Sequence, residues 1–307
     1  TVRSPIGLTD AVMRSVPSVY HVAQKVLTAQ KKDKQDVPDT RFNRVVSPRK
    51  MFGAKAYRLD DFKAIRKAVP GRTINDVVLA VCGGALRRYL KHHSELPDES
   101  LIAWVPINAR KSSAAAPDSP GNNVTSMTVP ICTDVGNDVD RLSCIHEATQ
   151  LSKEAKAGVS ARLMTDLSQH VPAATQVLAG RLVLRAGMAA RTCNLFISNI
   201  PGPQVPLYMN GARQVGAYGL APLVNGMGLF IATPSYNGEM TFNVTSTREL
   251  MPDMEFFIEC IDEALASLKS AVEPKKKARR KKPAKKKAGS KKAAPRKPQA
   301  KKESPAA

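Results

Sequence analysis

Apolar positions organise the chain most clearly from residue 71 onward. Ile74, Val77, Val78, Val81, Ala85 and Tyr89 recur at three- and four-residue spacing, the mark of one helix face. Thr73 followed by Asp76 supplies the S/T-x-x-D/E start signal, so the pattern predicts a helix over 74–91. Gly83 and Gly84 inside it each cost about 1 kcal/mol relative to alanine, which implies that another backbone packs closely there. LIAWVPI (101–107) and VTSMTVPI (124–131) have the short, β-branched character of strands, with a Ser/Ala/Pro/Gly/Asn-rich loop over 111–123 between them. Helical segments are expected near 138–157 and 160–189. Strand-like runs follow at 194–198, 213–218, 228–233 and 239–245, separated by Pro201-Gly202-Pro203, Asn225-Gly226 and Asn237-Gly238. Asn-Gly is the strongest short signal for a hairpin turn. Beyond Pro252, the apolar face of Phe257, Ile261, Ala264, Leu265 and Leu268 predicts a last helix. Helices and strands in this order argue an α/β sandwich built on a mixed sheet.

Before residue 71 the pattern is weaker. An amphipathic stretch near 8–27 gives way to KKDKQDVPDTRFNRVVSPRK (31–50), which has neither helical nor strand period and resembles a linker. The expected organisation is therefore helix and linker over 1–50, an α/β domain over 51–273, and a tail over 274–307.

Composition sharpens the last boundary. The 307 residues are 43% hydrophobic, enough for a substantial core and incompatible with wholesale disorder. The formal charge of +21 is unevenly spread. Residues 274–307 hold 16 Lys and Arg against the single acid Glu303, while the rest of the chain holds 31 bases against 25 acids. With no aromatic residue and no aliphatic side chain larger than alanine, the tail is expected to be disordered and resembles the Lys/Ala/Pro tails of histone-like bacterial proteins. Such a segment binds polyanions by counterion release, whether nucleic acid or the anionic face of a membrane or lipid inclusion. No base-reading module accompanies it. Cys82, Cys132, Cys144, Cys193 and Cys260 are widely spaced and odd in number, without a C-x-x-C pair, so reduced thiols in a cytoplasmic protein are expected. No apolar run approaches the roughly 20 residues of a membrane span, which leaves peripheral membrane contact. A chain that opens on Thr1 within a helix-and-loop pattern is expected to be part of a longer one.

Motifs for common chemistries are missing. There is no G-x-S-x-G elbow, P-loop or H-E-x-x-H pair, and Gly226-Met-Gly228 lacks the third glycine of a dinucleotide fingerprint. His92-His93 followed by Asp98 approaches the acyltransferase signature H-H-x-x-x-D-G, but four residues separate His93 from Asp98 instead of three, and Glu99 stands in place of glycine. His146 lies two residues from Cys144 on a predicted helix, so the two face apart and a structural role is expected for it. Site-like residues cluster elsewhere. Asn75 and Asp76 sit at a helix start, where backbone N–H groups attract negative charge and where both residues also serve as caps. Ser198 and Asn199 end a strand ahead of Pro201, Gly202 and Pro203. Arg110 and Asn122 bracket the long loop at strand ends, where ligand contacts concentrate.

Taken in order, INDVVLAVCGGALRRYL (74–90), WVPINAR (104–110), GNNVTSMTVPICTD (121–134), NLFISNIPGPQVPLYMNGARQ (194–214) and GLFIATPSYNGEMTFNVTSTREL (228–250) resemble the bacterial wax ester synthase/acyl-CoA:diacylglycerol acyltransferase family. The resemblance spans roughly residues 40–271. It implies a fold similar to the CoA-dependent acyltransferases, of which this chain would be the C-terminal subdomain. The H-H-x-x-x-D-G half is expected upstream of Thr1, with no catalytic residue in the chain itself. The Asn-Asp motif falls on Asn75 and Asp76, and the SNVPGP-like motif on Ser198, Asn199, Pro201, Gly202 and Pro203, with Ile200 in place of valine. The implied reaction moves a fatty acyl group from acyl-CoA, as co-substrate, to diacylglycerol or a long-chain alcohol, with no other cofactor and no metal. Arg110, Asn122 and the two motifs would then bind substrate or support the site. The alternative is a non-catalytic acyltransferase-like body whose basic tail binds nucleic acid or anionic surfaces.

Overall fold

A computed structural model of the chain describes residues 37–108, 124–156 and 192–273. In chain order the elements are β1 (Lys50–Arg58), α1 (Leu59–Ala68), α2 (Ile74–His92), β2 (Ile102–Asn108), β3 (Val124–Pro130), α3 (Asp138–Lys156), β4 (Leu195–Ile200), the short β5 (Tyr208–Met209) and β6 (Ala212–Arg213), β7 (Phe230–Tyr236), β8 (Glu239–Thr247) and α4 (Met254–Val272). Among the described residues one sheet has the order β1-β8-β7-β4-β2-β3, and β5 pairs with β6 apart from it. The β2/β4 and β4/β7 pairs are parallel and the rest of that sheet is antiparallel, which makes it mixed, as expected.

The four helices cover one face of this sheet. Alternate strand residues, among them Val105, Met127, Ile197, Ile231, Phe242 and Val244, join the helices in a single buried core. Helix α2 lies at its centre, in contact with α1, α3 and α4. Its double glycine explains how. A Cβ on Gly83 would lie 2.3 Å from the Ile131 carbonyl oxygen, and one on Gly84 would lie 3.2 Å from the Ala264 Cβ, so α2 closes against the end of β3 and against α4. Asn237 and Gly238, at φ +46° and +86°, make the left-handed pair that a two-residue β7–β8 hairpin requires.

Several expectations need correction. Residues 213–218 are not a strand beyond the two-residue β6. Their backbone is engaged instead by side chains, the Gln214 carbonyl accepting from Tyr236 Oη at 3.1 Å and the Ala217 carbonyl from Thr241 Oγ1 at 2.7 Å. β1 and α1 carry too little pattern to be seen in advance. β1 is an edge strand with lysines on it, and α1 starts at Arg58 without a side-chain cap. The last residues of the presumed linker are tied to the domain. Phe42 is fully buried, and Asn43 donates to the Cys193 and Gly226 carbonyls while its Oδ1 accepts from Asn194. Asn194 in turn accepts from the Ile102 backbone N–H at 2.8 Å, so the 37–43 segment is held at the start of β2 and β4. Cys132 and Cys144, expected as free thiols, form a disulfide, whereas Cys82, Cys193 and Cys260 are free and buried. The amphipathic stretch near 8–27, the helix expected over 160–189 and the tail over 274–307 lie outside the described residues.

Candidate functional site

The start of α2 is the first part of the site. Thr73 accepts from the Asp76 backbone N–H at 3.2 Å and its own N–H donates to Asp76 Oδ2 at 2.8 Å, a reciprocal capping box. Asp76 does more than cap. It is fully buried, and the same Oδ2 lies 2.9 Å from Nδ1 of His146 on α3, where the ring donates. One turn before His146, Ser143 Oγ accepts from Arg72 Nη2 at 3.2 Å. Asp76 Oδ1 and Arg72 Nε are buried without partners among the described residues. The neighbouring Asn75 is half-buried, and its side chain makes no hydrogen bond there. His146 thus has a structural tie, but to an aspartate seventy residues away that no sequence spacing could identify.

The second part is the end of β4. Strand alternation places Asn199 on the helix-covered face with Ile197, and Ser198 on the opposite face with Phe196, so the two residues do not act together. The turn after them is clamped to the β7–β8 hairpin. A Cβ on Gly202 would lie 2.2 Å from the Ser235 carbonyl oxygen, the Gly202 N–H points at Ser235 Oγ (3.3 Å), and the Pro203 carbonyl accepts from Asn237 at 3.0 Å. Gln204, which sequence reasoning missed, donates to the Gly202 carbonyl and accepts from the Gly238 N–H. Pro201 is exposed at the corner. Arg110 and Asn122 lie outside the described residues. The flanking strands nevertheless locate that end of the sheet: β2 runs parallel to β4 and β3 antiparallel to β2, so β2 and β4 end where β3 begins.

The third part is the sheet face opposite these helices, whose β7–β8 side is packed under residues 217–219, with Thr241 Oγ1 donating to the Ala217 carbonyl and Asn243 fully buried. Trp104, Phe196 and Phe230 are cross-strand neighbours there, with ring centroids 4.7 Å apart in an edge contact and 5.5 Å apart in a stack. Thr245 and the 43% exposed Phe52 continue this row across β8 and β1. In the next row Ser198 stands beside Ala232 and Asn243. The face therefore sets a ladder of half-buried aromatic rings and Ser198 beside the buried Ala232, Asn243 and Thr245, an apolar strip with a hydroxyl next to it. Trp104 is the one tryptophan in the sequence. Its strand was legible in advance, but the alignment with Phe196 and Phe230 was not.

The described histidines lie among the helices, away from that face. His146 is engaged with Asp76, and His93 Nε2 lies 2.9 Å from Asp253 Oδ2, both among the helices. Burial pushes the Cys82 thiol far up, Cys193 to about 12 and Cys260 to about 11, which leaves none of them a thiolate near neutral pH.

Comparison with known proteins agrees with this architecture. Residues 120–269 match the WS/DGAT C-terminal domain. A putative diacylglycerol O-acyltransferase of Mycobacterium tuberculosis is 32% identical over 270 residues, covering 87% of this chain and 58% of that protein. The O-acyltransferase WSD of Acinetobacter baylyi is 33% identical over 230 residues, covering 74% and 48%. The chain therefore spans about half the length of the curated relatives it matches. The solved wax ester synthase/diacylglycerol acyltransferase of Marinobacter aquaeolei VT8 superposes with a TM-score of 0.61 at 27% identity, covering 84% of this chain and 58% of that one. An epimerization domain of tyrocidine synthetase B, 10% identical with a TM-score of 0.50, shares the fold alone. By its C-terminal domain, the chain belongs to the wax ester synthase/diacylglycerol acyltransferase family.

Proposed function

We propose that the chain forms the acceptor-side part of an O-acyltransferase that moves a fatty acyl group from acyl-CoA to diacylglycerol or a long-chain alcohol. The observation that carries this reading is the sheet face opposite the helices, where the half-buried Trp104–Phe196–Phe230 ladder lies beside Ser198 in a chain of this family. In the reaction the acceptor hydroxyl attacks the thioester carbonyl, a base removes its proton, an oxyanion forms and collapses, and the C–S bond breaks to release CoA. Acyl-CoA is a co-substrate, and the proposal invokes no other cofactor. An imidazole near its ordinary pKa of about 6.5 suits the base. His93 and His146 are engaged with Asp253 and Asp76, and the exposed His92 lies on the helix side with its ring against Phe256, so we assign the base to the family's H-H-x-x-x-D-G half, which residues 1–307 do not carry. Asp76 and the Gly202 clamp act by holding the α2 start and the β4 end in place.

Residues 274–307, with 16 bases against one acid, would hold the protein at an anionic membrane face or lipid inclusion in the cytoplasm. The same charge supports a second reading, in which the tail binds nucleic acid without sequence preference. Flotation on anionic vesicles and retardation of DNA, each at two salt concentrations with and without 274–307, separate tail from body. Binding that survives the deletion would place the polyanion site on the body and strengthen the second reading.

The activity is tested with an acyl-CoA and either a diacylglycerol or hexadecanol, following thiol release and ester product. Residues 1–307 alone should give none, and the same residues joined to a relative's H-H-x-x-x-D-G half should give both. Thiol release by 1–307 that disappears in His93→Ala would overturn the assignment of the base. A joined chain that binds acyl-CoA but forms no ester would overturn the activity itself.

A further inference from the structure

Cys132 and Cys144 are twelve residues apart and joined in a disulfide. The bond fastens the segment after β3 to the second turn of α3, and both side-chain ties between α3 and the α2 start flank it: Ser143 with Arg72, and His146 with Asp76. The two sides of the bond are held very differently. Around Cys132 the chain is fixed by Ile131 N–H to the Leu101 carbonyl, Leu101 N–H to Thr133 Oγ1, and Arg87 to the Thr133 carbonyl. Helix α3 is fastened mostly through polar side chains, including Ser152 Oγ on the Thr128 carbonyl and Ser267 on Asp138. Leu142 and Ile145 are its fully buried large aliphatic side chains, Leu151 is 67% exposed, and the buried Arg141 bonds mainly to the helix's own approach at Val135, Gly136 and Asp138. Cys132 also has φ +50°, a left-handed conformation that a residue with a Cβ seldom adopts unaided.

From this asymmetry we propose that Cys132–Cys144 is a thiol–disulfide switch that sets the hold of α3 on the Asp76 end of α2. In the oxidised chain, α3 is pinned and His146 stays on Asp76. In the reduced chain, Cys132 can leave its left-handed conformation, α3 loosens at its start, and Asp76 loses its partner. Reduction begins at Cys144, which is half-buried whereas Cys132 is 1% exposed. A thiolate of a dithiol reductant attacks Cys144 Sγ, and Cys132 leaves as a thiolate and takes up a proton. The reductant's second thiol then displaces Cys144, so two electrons pass from the dithiol to the protein and the reductant becomes a cyclic disulfide. The switch rests on this geometry and not on the proposed activity.

The test uses the full chain. After denaturation, the oxidised protein should titrate three thiols, those of Cys82, Cys193 and Cys260, and the dithiothreitol-treated protein five. Hydrogen exchange of the folded protein should then quicken several-fold on reduction in peptides covering 70–80 and 140–150, with the β7–β8 hairpin unchanged. Cys132→Ser and Cys144→Ser should each exchange like the reduced chain and ignore dithiothreitol. Five thiols after treatment with oxidised glutathione would show that the pair does not bond. Unchanged exchange at 70–80 on reduction would leave a passive staple, and equal acceleration everywhere would make the bond a support of the whole fold; either result overturns the switch. If the serine variants fail to fold, reduced wild-type protein carries the same comparison.

Discussion

Helices α4 and α3 pack against the same partner, α2, by opposite means. α4 buries Phe257, Ile261, Leu265 and Leu268 in the core, and its polar ties sit at the edges, such as Lys269 on Asp61 and Asp262 on Lys55 and Tyr57. α3 buries two large aliphatic residues and relies on a disulfide, a buried arginine and the His146–Asp76 contact. An apolar stripe is non-directional and tolerates small shifts, whereas hydrogen bonds and a covalent link need particular partners at particular distances. Helix α4 therefore anchors the domain, and α3 positions one end of α2.

Breaking the apolar side of this comparison should have the largest effect. Phe257→Ala removes a fully buried ring and should destabilise the domain by about 3–5 kcal/mol, read from urea unfolding. A loss below about 1 kcal/mol would mean that α4 is not the anchor.

Gly83→Ala comes next. The added methyl meets the Ile131 carbonyl oxygen head-on, which should cost about 1–3 kcal/mol even after the roughly 1 kcal/mol gained in helix propensity. A higher melting temperature in this variant would show that β3 can move away.

At the polar side, Asp76→Ala should cost about 0.5–2 kcal/mol through the lost cap. Hydrogen exchange should rise at the starts of both α2 and α3, because the same oxygen serves Thr73 and His146. Thr73→Ala removes half of the capping box and leaves His146 its partner, so its effect should stay on α2. Equal disturbance of α3 by both variants would separate His146 from any role in fastening that helix. In a joined, active chain, loss of turnover by Asp76→Ala without loss of stability would place the carboxylate in the reaction rather than beside it.

The smallest effect concerns pH. Arg41 hydrogen-bonds both Glu95 carboxylate oxygens, at 2.6 and 2.7 Å, and holds this carboxyl below the ordinary range. A depressed folded pKa stabilises above the unfolded value of about 4.3 and is lost as pH falls through the folded one. The stability difference between wild type and Glu95→Gln should therefore be small at pH 7, because Glu95 is part-exposed, should shrink as pH falls below the unfolded value of about 4.3, and should vanish once pH is below the depressed folded one. A difference that grows on acidification would reverse the sign.

Much of this was legible in advance, for reasons visible in particular residues. The capping box at Thr73 and Asp76 announces α2 because both groups lie within one turn. The paired glycines forecast a close backbone because nothing else offsets their loss of helix propensity. β1 and α1 escaped notice because an edge strand with lysines and an uncapped ten-residue helix take their stability from neighbours. Ser198 and Asn199 look equivalent in sequence, yet pairing between β2 and β7 sends one to the aromatic face and the other to the helices.

By itself the sequence determined the kinds of element, the turns at Asn225-Gly226 and Asn237-Gly238, the apolar face of α4 and the family motifs, since each depends on residues a few positions apart. Tertiary structure alone decided that Trp104, Phe196 and Phe230 form one ladder, that Gly202 is pressed against Ser235, that His146 meets Asp76 and that Cys132 finds Cys144. These pairings depend on strand order, register and the packing of helices across the sheet. Such quantities are set by the combined burial of the whole chain, and no local spacing encodes them.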